Sequence, residues 1–396
     1  MYKREQYEII NERLREPRKF IQVVMGPRQV GKTTVVRQVL KDLQSVPYLF
    51  FSADDVPATQ KSWIYDCWDA ARAQMRIEGS KEAVLIIDEI QKLKGWSEVV
   101  KKEWDEDTFN GIDLKVVLLG SSRVMLEKGL ADSLMGRFET IKMAHWSYPE
   151  MKESFGIRLS QYIYFGGYPG AASLMGDQER WSTYVKDSII NATIDKDILN
   201  DTAIAKPALL RQTFELGASY SGKMVSLTKM LGSLQDAGNT TTLSGYLNLL
   251  RDSGLLAGLQ KFSVDLSRQR ASIPKFQVFN NALRNVYCGL TFDEAVRNPK
   301  GWGRMVESAV GAHLVNNVPI GGYEVYYWRE GDLEVDYVLK KNDRIIAIEV
   351  KSGSETTNAG LEEIRRKYSP YASFIVGKGG VDIEKFLSLP PAKLFE

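Results

Sequence analysis

Gly26-Pro27-Arg28-Gln29-Val30-Gly31-Lys32-Thr33 matches G-x-x-x-x-G-K-[ST] at every required position. An apolar run, Phe20 to Met25, precedes it, and a helix-like run from Thr33 to Leu43 follows. Strand, glycine loop and helix in that order are the setting a phosphate-binding loop requires. The glycines let backbone N–H groups turn inward around nucleotide phosphates. Lys32 then reaches the β and γ oxygens, and the Thr33 hydroxyl ligates Mg²⁺. A plain glycine turn would account for the glycines but not for the Lys-Thr pair. Gly26 through Thr34 are therefore the expected nucleotide-binding residues.

Bulk properties bound what surrounds this loop. At 396 residues the chain exceeds one ordinary core, so two or three domains are expected. With 44% hydrophobic and 26% charged residues it reads as a soluble globular protein. A net charge of +2 is nearly neutral, so any nucleic-acid contact must come from a local basic face. Cys67 and Cys288 lie far apart, and with only two histidines a Cys/His zinc site is excluded. The thiols read as reduced and cytosolic. Met1 to Ile10 alternates charged and apolar residues, unlike a signal peptide. No apolar run approaches the roughly 20 residues that span a bilayer. The expected location is the cytoplasm, with no membrane partner.

From residue 20 to 119 strand-like and helix-like segments alternate, which predicts a parallel sheet with helices on both faces. The candidate strands are 20–25, 46–52, 83–88 and 114–119. The third, Ala83-Val84-Leu85-Ile86-Ile87, ends in Asp88-Glu89. Behind a phosphate loop, such a strand end supplies an acid for Mg²⁺, Asp88, and one that polarises the attacking water, Glu89. The fourth strand ends in Gly120-Ser121-Ser122-Arg123. In ATPases with an additional strand between the loop strand and the Asp-Glu strand, a polar residue here senses the γ-phosphate. Ser121 or Ser122 fits that post. Arg137, in Leu134-Met135-Gly136-Arg137-Phe138, is a candidate arginine finger, in cis or from a neighbouring copy, with Arg123 a weaker one. A surface arginine is the plain alternative for Arg137.

Together, GPRQVGKTT, LIIDEIQK, LLGSS and LMGRFE resemble the archaeal-type AAA+-like ATPase family, many of whose members carry a C-terminal domain of unknown function. The run Tyr162-Ile163-Tyr164-Phe165-Gly166-Gly167-Tyr168-Pro169-Gly170 resembles that family's junction after the ATPase core. The resemblance implies ATP hydrolysis with Mg²⁺ but no particular substrate. ATP over GTP rests on it too, since no guanine-reading N-K-x-D run occurs. Where Asn280 stands, the family usually carries an Asp.

Between Lys206 and Phe262 the pattern predicts helix (207–219), short helix (224–231), turn (236–239) and second helix (240–250), then strands from Gly254 onward that could form a wing. Leu243, Tyr246, Leu247 and Leu250 recur at helical spacing, as a helix-turn-helix requires. In a DNA reader, Thr242, Ser244 and Asn248 would meet the groove and Lys223 and Lys229 the phosphates. That helix carries no arginine before Arg251, which suits a docking role equally well.

Residues 302–376 predict an α-β-β-β-α-β order that resembles the PD-(D/E)XK nuclease fold. Asp336 lies in the second strand, and Glu349-Val350-Lys351 ends the third. A hairpin would set Asp336 beside Glu349 to hold Mg²⁺, with Lys351 on the same strand face as Glu349 to orient hydroxide. Glu307, on the preceding helix, could join through water. The decoys Glu150-Met151-Lys152 and Asp113-Leu114-Lys115 lack an apolar strand end with an Asp-bearing partner strand before it. A structural ion-pair cluster in an inactive fold is the alternative. His145, His313 and the tryptophans at 63, 68, 96 and 104 read as packing.

The expected architecture is α/β: an ATPase core at 1–150, a helical lid or linker at 151–204, a winged helix at 205–270 and a nuclease-like domain at 271–396. Two functions fit it. One is ATP-driven DNA processing or defence, with DNA as partner, Mg-dependent cleavage open to it, and assembly with further copies through Arg137. The other is a nucleotide-switched regulator or scaffold whose nuclease-like domain is inactive.

Overall fold

The computed structural model describes residues 2–43, 46–121, 123–199, 204–234, 238–353 and 358–396. The chain divides into two compact units, Met1–Met143 and Ala144–Glu396. Ser122 and the Asp236-Ala237 part of the expected turn lie outside the described residues, as does the Arg123 side chain.

Five strands build the first unit: β1 (Ile21–Met25), β2 (Tyr48–Ser52), β3 (Glu82–Asp88), β4 (Asp113–Gly120) and β5 (Phe138–Lys142). They pair in the order β2-β3-β4-β1-β5, all parallel. β1, β3 and β4 read as continuous apolar runs because helices cover both faces of the sheet. β4 lies between the loop strand and the Asp-Glu strand, so its end faces both motifs. The sequence reading passes over β5. Only Ile141 of its five residues is buried, so this edge strand has no apolar run to detect.

In the second unit, helices Pro207–Ser219, Leu227–Leu231 and Thr240–Asp252 precede an antiparallel pair, β6 (Leu256–Leu259) and β7 (Lys275–Val278). Asn239 caps the third helix by accepting the Thr242 N–H at 2.8 Å. Its apolar stripe, Leu243, Tyr246, Leu247 and Leu250, is buried as the spacing predicts. One continuous core extends from Ile163 to Ala309 and takes in all three helices.

The C-terminal sheet follows the predicted α-β-β-β-α-β order. A helix, Pro299–Gly321, leads into β8 (Glu324–Glu330), β9 (Leu333–Lys341) and β10 (Arg344–Lys351), then a helix, Ala359–Tyr368, and β11 (Ala372–Gly377). β8, β9 and β10 form an antiparallel meander, and β11 lies parallel to β10. Gly311 lets the long helix press onto this layer: a Cβ there would sit 2.0 Å from Gln277 Oε1 and 2.3 Å from the Tyr337 hydroxyl. Among the described residues no helix is long and apolar enough to cross a membrane.

Candidate functional sites

The phosphate loop sits between β1 and the Lys32–Asp42 helix. Gly31 adopts φ 92°, a left-handed conformation that costs glycine little, and Gln29 adopts φ 63°. This turn aims the first N–H groups of the helix into the loop, where a phosphate is favoured. Lys32 Nζ donates to the carbonyls of Gly26 at 2.8 Å and Pro27 at 2.9 Å. Across the sheet, Thr33 Oγ1 donates to Asp88 Oδ2 at 2.9 Å. Burial pushes the Asp88 carboxyl above its ordinary range, against the opposing Thr33 hydrogen bond. A hydroxyl and a carboxylate held together are hard oxygen donors, and they fit Mg²⁺.

Glu89 follows Asp88 at φ 53°, unusual for a residue with a Cβ. This bend separates the two acids: Asp88 stays toward Thr33 and Glu89 turns toward the end of β4. There its Oε2 accepts Ser121 Oγ at 3.0 Å and Gln91 Nε2 at 2.5 Å. Ser121, one of the two serines proposed as sensor, is thus joined to the acid; the other, Ser122, lies outside the described residues. Gln91, only 4% exposed, is the residue that sequence reading missed. Its signal was its place in the tight turn straight after the acid pair.

Arg137 is not brought to this loop. It forks onto Asp105, with Nε–Oδ1 at 2.7 Å and Nη2–Oδ2 at 3.0 Å. Its carbonyl accepts the N–H of Ile21, the first residue of β1, whereas Gly26 follows the last. At about 3.3 Å per residue the length of β1 keeps the two backbone positions about 15 Å apart, and the Arg137 side chain is engaged by Asp105.

The second site lies on the C-terminal sheet. Tyr337 stands opposite Ile348, and one step along Asp336 Oδ2 accepts the Val350 N–H at 2.8 Å. Lys351 Nζ pairs with Glu349 Oε1 at 2.7 Å, the shared face expected of residues two apart. Glu349 Oε2 is buried with no hydrogen bond among the described residues. Burial and then Asp336 push the Glu349 carboxyl up to about 7.

Lys275, from β7, occupies the centre of the acids. Its Nζ lies 2.7 Å from Glu307 Oε1, 3.4 Å from Asp336 Oδ1 and 3.8 Å from Glu334 Oε1. It also donates to the Asp336 carbonyl at 3.1 Å and sits 4.8 Å from the Tyr337 ring centre. Burial alone would discharge this ammonium, but Glu307, Asp336 and Glu334 hold its pKa well above the ordinary lysine value. Burial lifts Glu307 to about 7 against the pull of Lys275.

The structure thus brings Asp336, Glu349 and Glu307 together as expected of an Mg²⁺ site, and also sets Lys275 among them. Both Asp336 oxygens are engaged, and an ammonium stands among the carboxylates. Among the described residues no group of three His, Cys, Asp or Glu side chains is set to hold a metal ion. Sequence reading missed Lys275 and Glu334. The available signal was Lys275 and Gln277 alternating in an otherwise apolar strand, polar side chains that share one face and need partners.

Other singled-out residues do structural work. Asn280 Oδ1 accepts the N–H groups of Gly167 at 3.1 Å and Ala282 at 3.2 Å, tying the Gly-Gly junction to a helix start. His145 Nε2 meets the Gly254 carbonyl at 3.0 Å, and His313 Nε2 meets that of Leu389 at 3.0 Å. Trp68, Trp96 and Trp104 are buried, and Trp63 packs edge-on against Phe51.

Residues 18–152 match the family described as an AAA domain. Residues 157–294 and 302–390 match two domains of unknown function, DUF8612 and DUF4143. No curated protein matches the chain. Among solved structures it is similar to one described for katanin self-assembly, at 22% identity and TM-score 0.27 over 38% of this chain and 47% of that one. The katanin match thus spans less than half of that chain. A RuvB variant from Thermotoga maritima matches at 18% identity and TM-score 0.35, over 64% of this chain and 85% of that one. AMPPCP-bound DnaA from Aquifex aeolicus matches at 15% identity and TM-score 0.33, over 63% of this chain and 88% of that one.

Proposed function

We infer that the AAA-type ATPase domain at residues 18–152 binds and hydrolyses ATP, and that the nucleotide state governs how the C-terminal half engages DNA. The observation that carries the first part is the placement of Glu89, bent away from Asp88 and held by Ser121 and Gln91. A general base must be aimed before its water arrives, and two hydrogen bonds to one carboxylate oxygen do the aiming.

In this reading the loop N–H groups and Lys32 take the phosphates. Lys32 exchanges two neutral carbonyls for phosphate oxygens. Thr33 and Asp88 would hold Mg²⁺, which when bound offsets phosphate charge. Glu89 accepts the proton of the attacking water, and Ser121 keeps its carboxylate turned toward the γ-phosphate. Arg137 could assist from one copy to the next, after release from Asp105.

DNA as partner is supported by a concentration of positive charge. Lys223 lies within electrostatic reach of Arg304, Arg284 and Lys300, which together with burial, the larger cause, lower its pKa. Such a cluster suits a phosphate backbone. The helix order 207–252 followed by β6 and β7 supports a winged-helix reading, with Ser244 and Asn248 exposed and Thr242 spent on the helix cap. The regulator reading, in which the nuclease-like domain grips without cutting, is favoured by Lys275.

Steady-state ATP hydrolysis by the wild-type chain and by Lys32→Ala tests the first part. Turnover lost in the variant, with the fold intact, is expected; unchanged turnover overturns it. DNA binding measured with and without ATP tests the second: a salt-dependent affinity that changes with nucleotide and weakens in Arg304→Ala is expected, and an affinity blind to nucleotide overturns it.

A further inference from the structure

The acidic pocket of the C-terminal sheet carries its own cation. Four carboxylates, Glu307, Glu334, Asp336 and Glu349, converge from one helix and two adjacent strands. Two lysines answer them: Lys351 pairs with Glu349, and Lys275 with the other three. Lys275 is 0% exposed and comes from β7, outside the meander that bears the acids.

We propose that the Lys275 ammonium stands where a nuclease of this shape would hold a divalent ion, so that the pocket is closed to metal and the domain binds without cutting. Three features argue that the lysine stays put. Its backbone is bonded on two sides, opposite Leu259 in the β6–β7 pair and bridged to Met224. All four β7 residues are buried, so the strand is not a loop that can swing away. Removing a buried ammonium from three carboxylates would leave them uncompensated, a heavy penalty.

An ammonium supplies one charge where Mg²⁺ supplies two, and it has no empty orbital with which to bind a water oxygen and acidify it. It therefore neutralises part of the pocket without offering the metal-bound hydroxide that phosphodiester hydrolysis needs. Closure to metal rests on the pocket alone; binding without cutting rests in addition on the proposed DNA engagement, which the Arg304→Ala measurement tests separately.

Mn²⁺ titration followed by electron paramagnetic resonance, on the full chain without nucleotide, tests it. The wild type should show no saturable Mn²⁺ site that Asp336→Asn removes. Lys275→Met should gain one, about ten-fold tighter than anything in the wild type or better. Adding Asp336→Asn should abolish it, and Mn²⁺ should raise the Tm of Lys275→Met alone. A folded Lys275→Met that gains no ion overturns the proposal. Should that variant not fold, the wild-type arm decides. A wild-type ion lost in Asp336→Asn and kept in Lys32→Ala overturns the proposal, and its absence upholds it.

Discussion

Two buried lysines, Lys32 and Lys275, differ in the contacts around them. Lys32 is held by the neutral carbonyls of Gly26 and Pro27. An incoming phosphate outbids these, because a charge-assisted contact is roughly twice as strong as a neutral one. Lys275 already lies among three carboxylates and has nothing to gain from a ligand. The lesson is that a lysine in an acidic cluster can mark a site as filled, whereas a lysine on a carbonyl loop marks one as ready. His313 completes the contrast. It is buried in the same unit with a carbonyl instead of a carboxylate for company, and burial lowers it to about 4, so it stays neutral.

The largest effect should come from Glu89. Glu89→Gln keeps the shape of the first site but removes its base, and turnover should fall about 10²- to 10⁴-fold with ATP binding retained. A variant hydrolysing at the wild-type rate would break the claim that this site is poised. Next comes His313, whose folded pKa lies below the ordinary 6.5. As pH falls, the unfolded chain takes up the proton first. The stability it contributes is therefore whole above about 6.5 and lost by about pH 4, a difference of about 3 kcal/mol. Chemical denaturation at neutral and acid pH should show a shallower fall in His313→Gln than in the wild type. A steeper one would mean the buried histidine is charged, against the contrast with Lys275. Smaller again, Ser121→Ala removes one hydrogen bond to a carboxylate, worth about 1.5–3 kcal/mol, so turnover should drop roughly ten- to hundred-fold. An unchanged rate would leave Gln91 alone aiming Glu89. The smallest effect belongs to Arg137→Ala. It breaks a partly exposed fork to Asp105 and should cost less than about 1 kcal/mol of stability. Its ATP turnover at low protein concentration should match the wild type, since Arg137 is remote from the loop; a collapse there would contradict that placement.

The two sites were not equally legible in the sequence. The phosphate loop could be read because its function demands residues next to one another: glycines, Lys32 and Thr33 in a single turn. Asp88 and Glu89 were legible for the same reason, at the end of an apolar strand. What escaped were contacts between segments. β5 buries only Ile141, so Arg137 looked like a loop residue free to reach the phosphates. Gln91 sits near Glu89, yet only the αL bend at Glu89 turns them together. In the second half, element order was legible from apolar periodicity, and Glu349 with Lys351 from their spacing. Lys275 was not, because its short strand, Lys275–Val278, lies ahead of residue 302, where the α-β-β-β-α-β pattern begins. Spacing within the Asp336/Glu349/Lys351 set cannot reveal a cation delivered from β7, and that cation alters what the set can do.

The central claim is that the first site is poised and the second is filled. Incubating supercoiled DNA with the full chain, Mg²⁺ or Mn²⁺ and ATP, beside a Glu349→Ala control, tests it most directly. The account predicts that ATP is consumed while the DNA stays uncut. Cleavage that disappears in the control would contradict it, and would show that Lys275 does not close the acidic pocket.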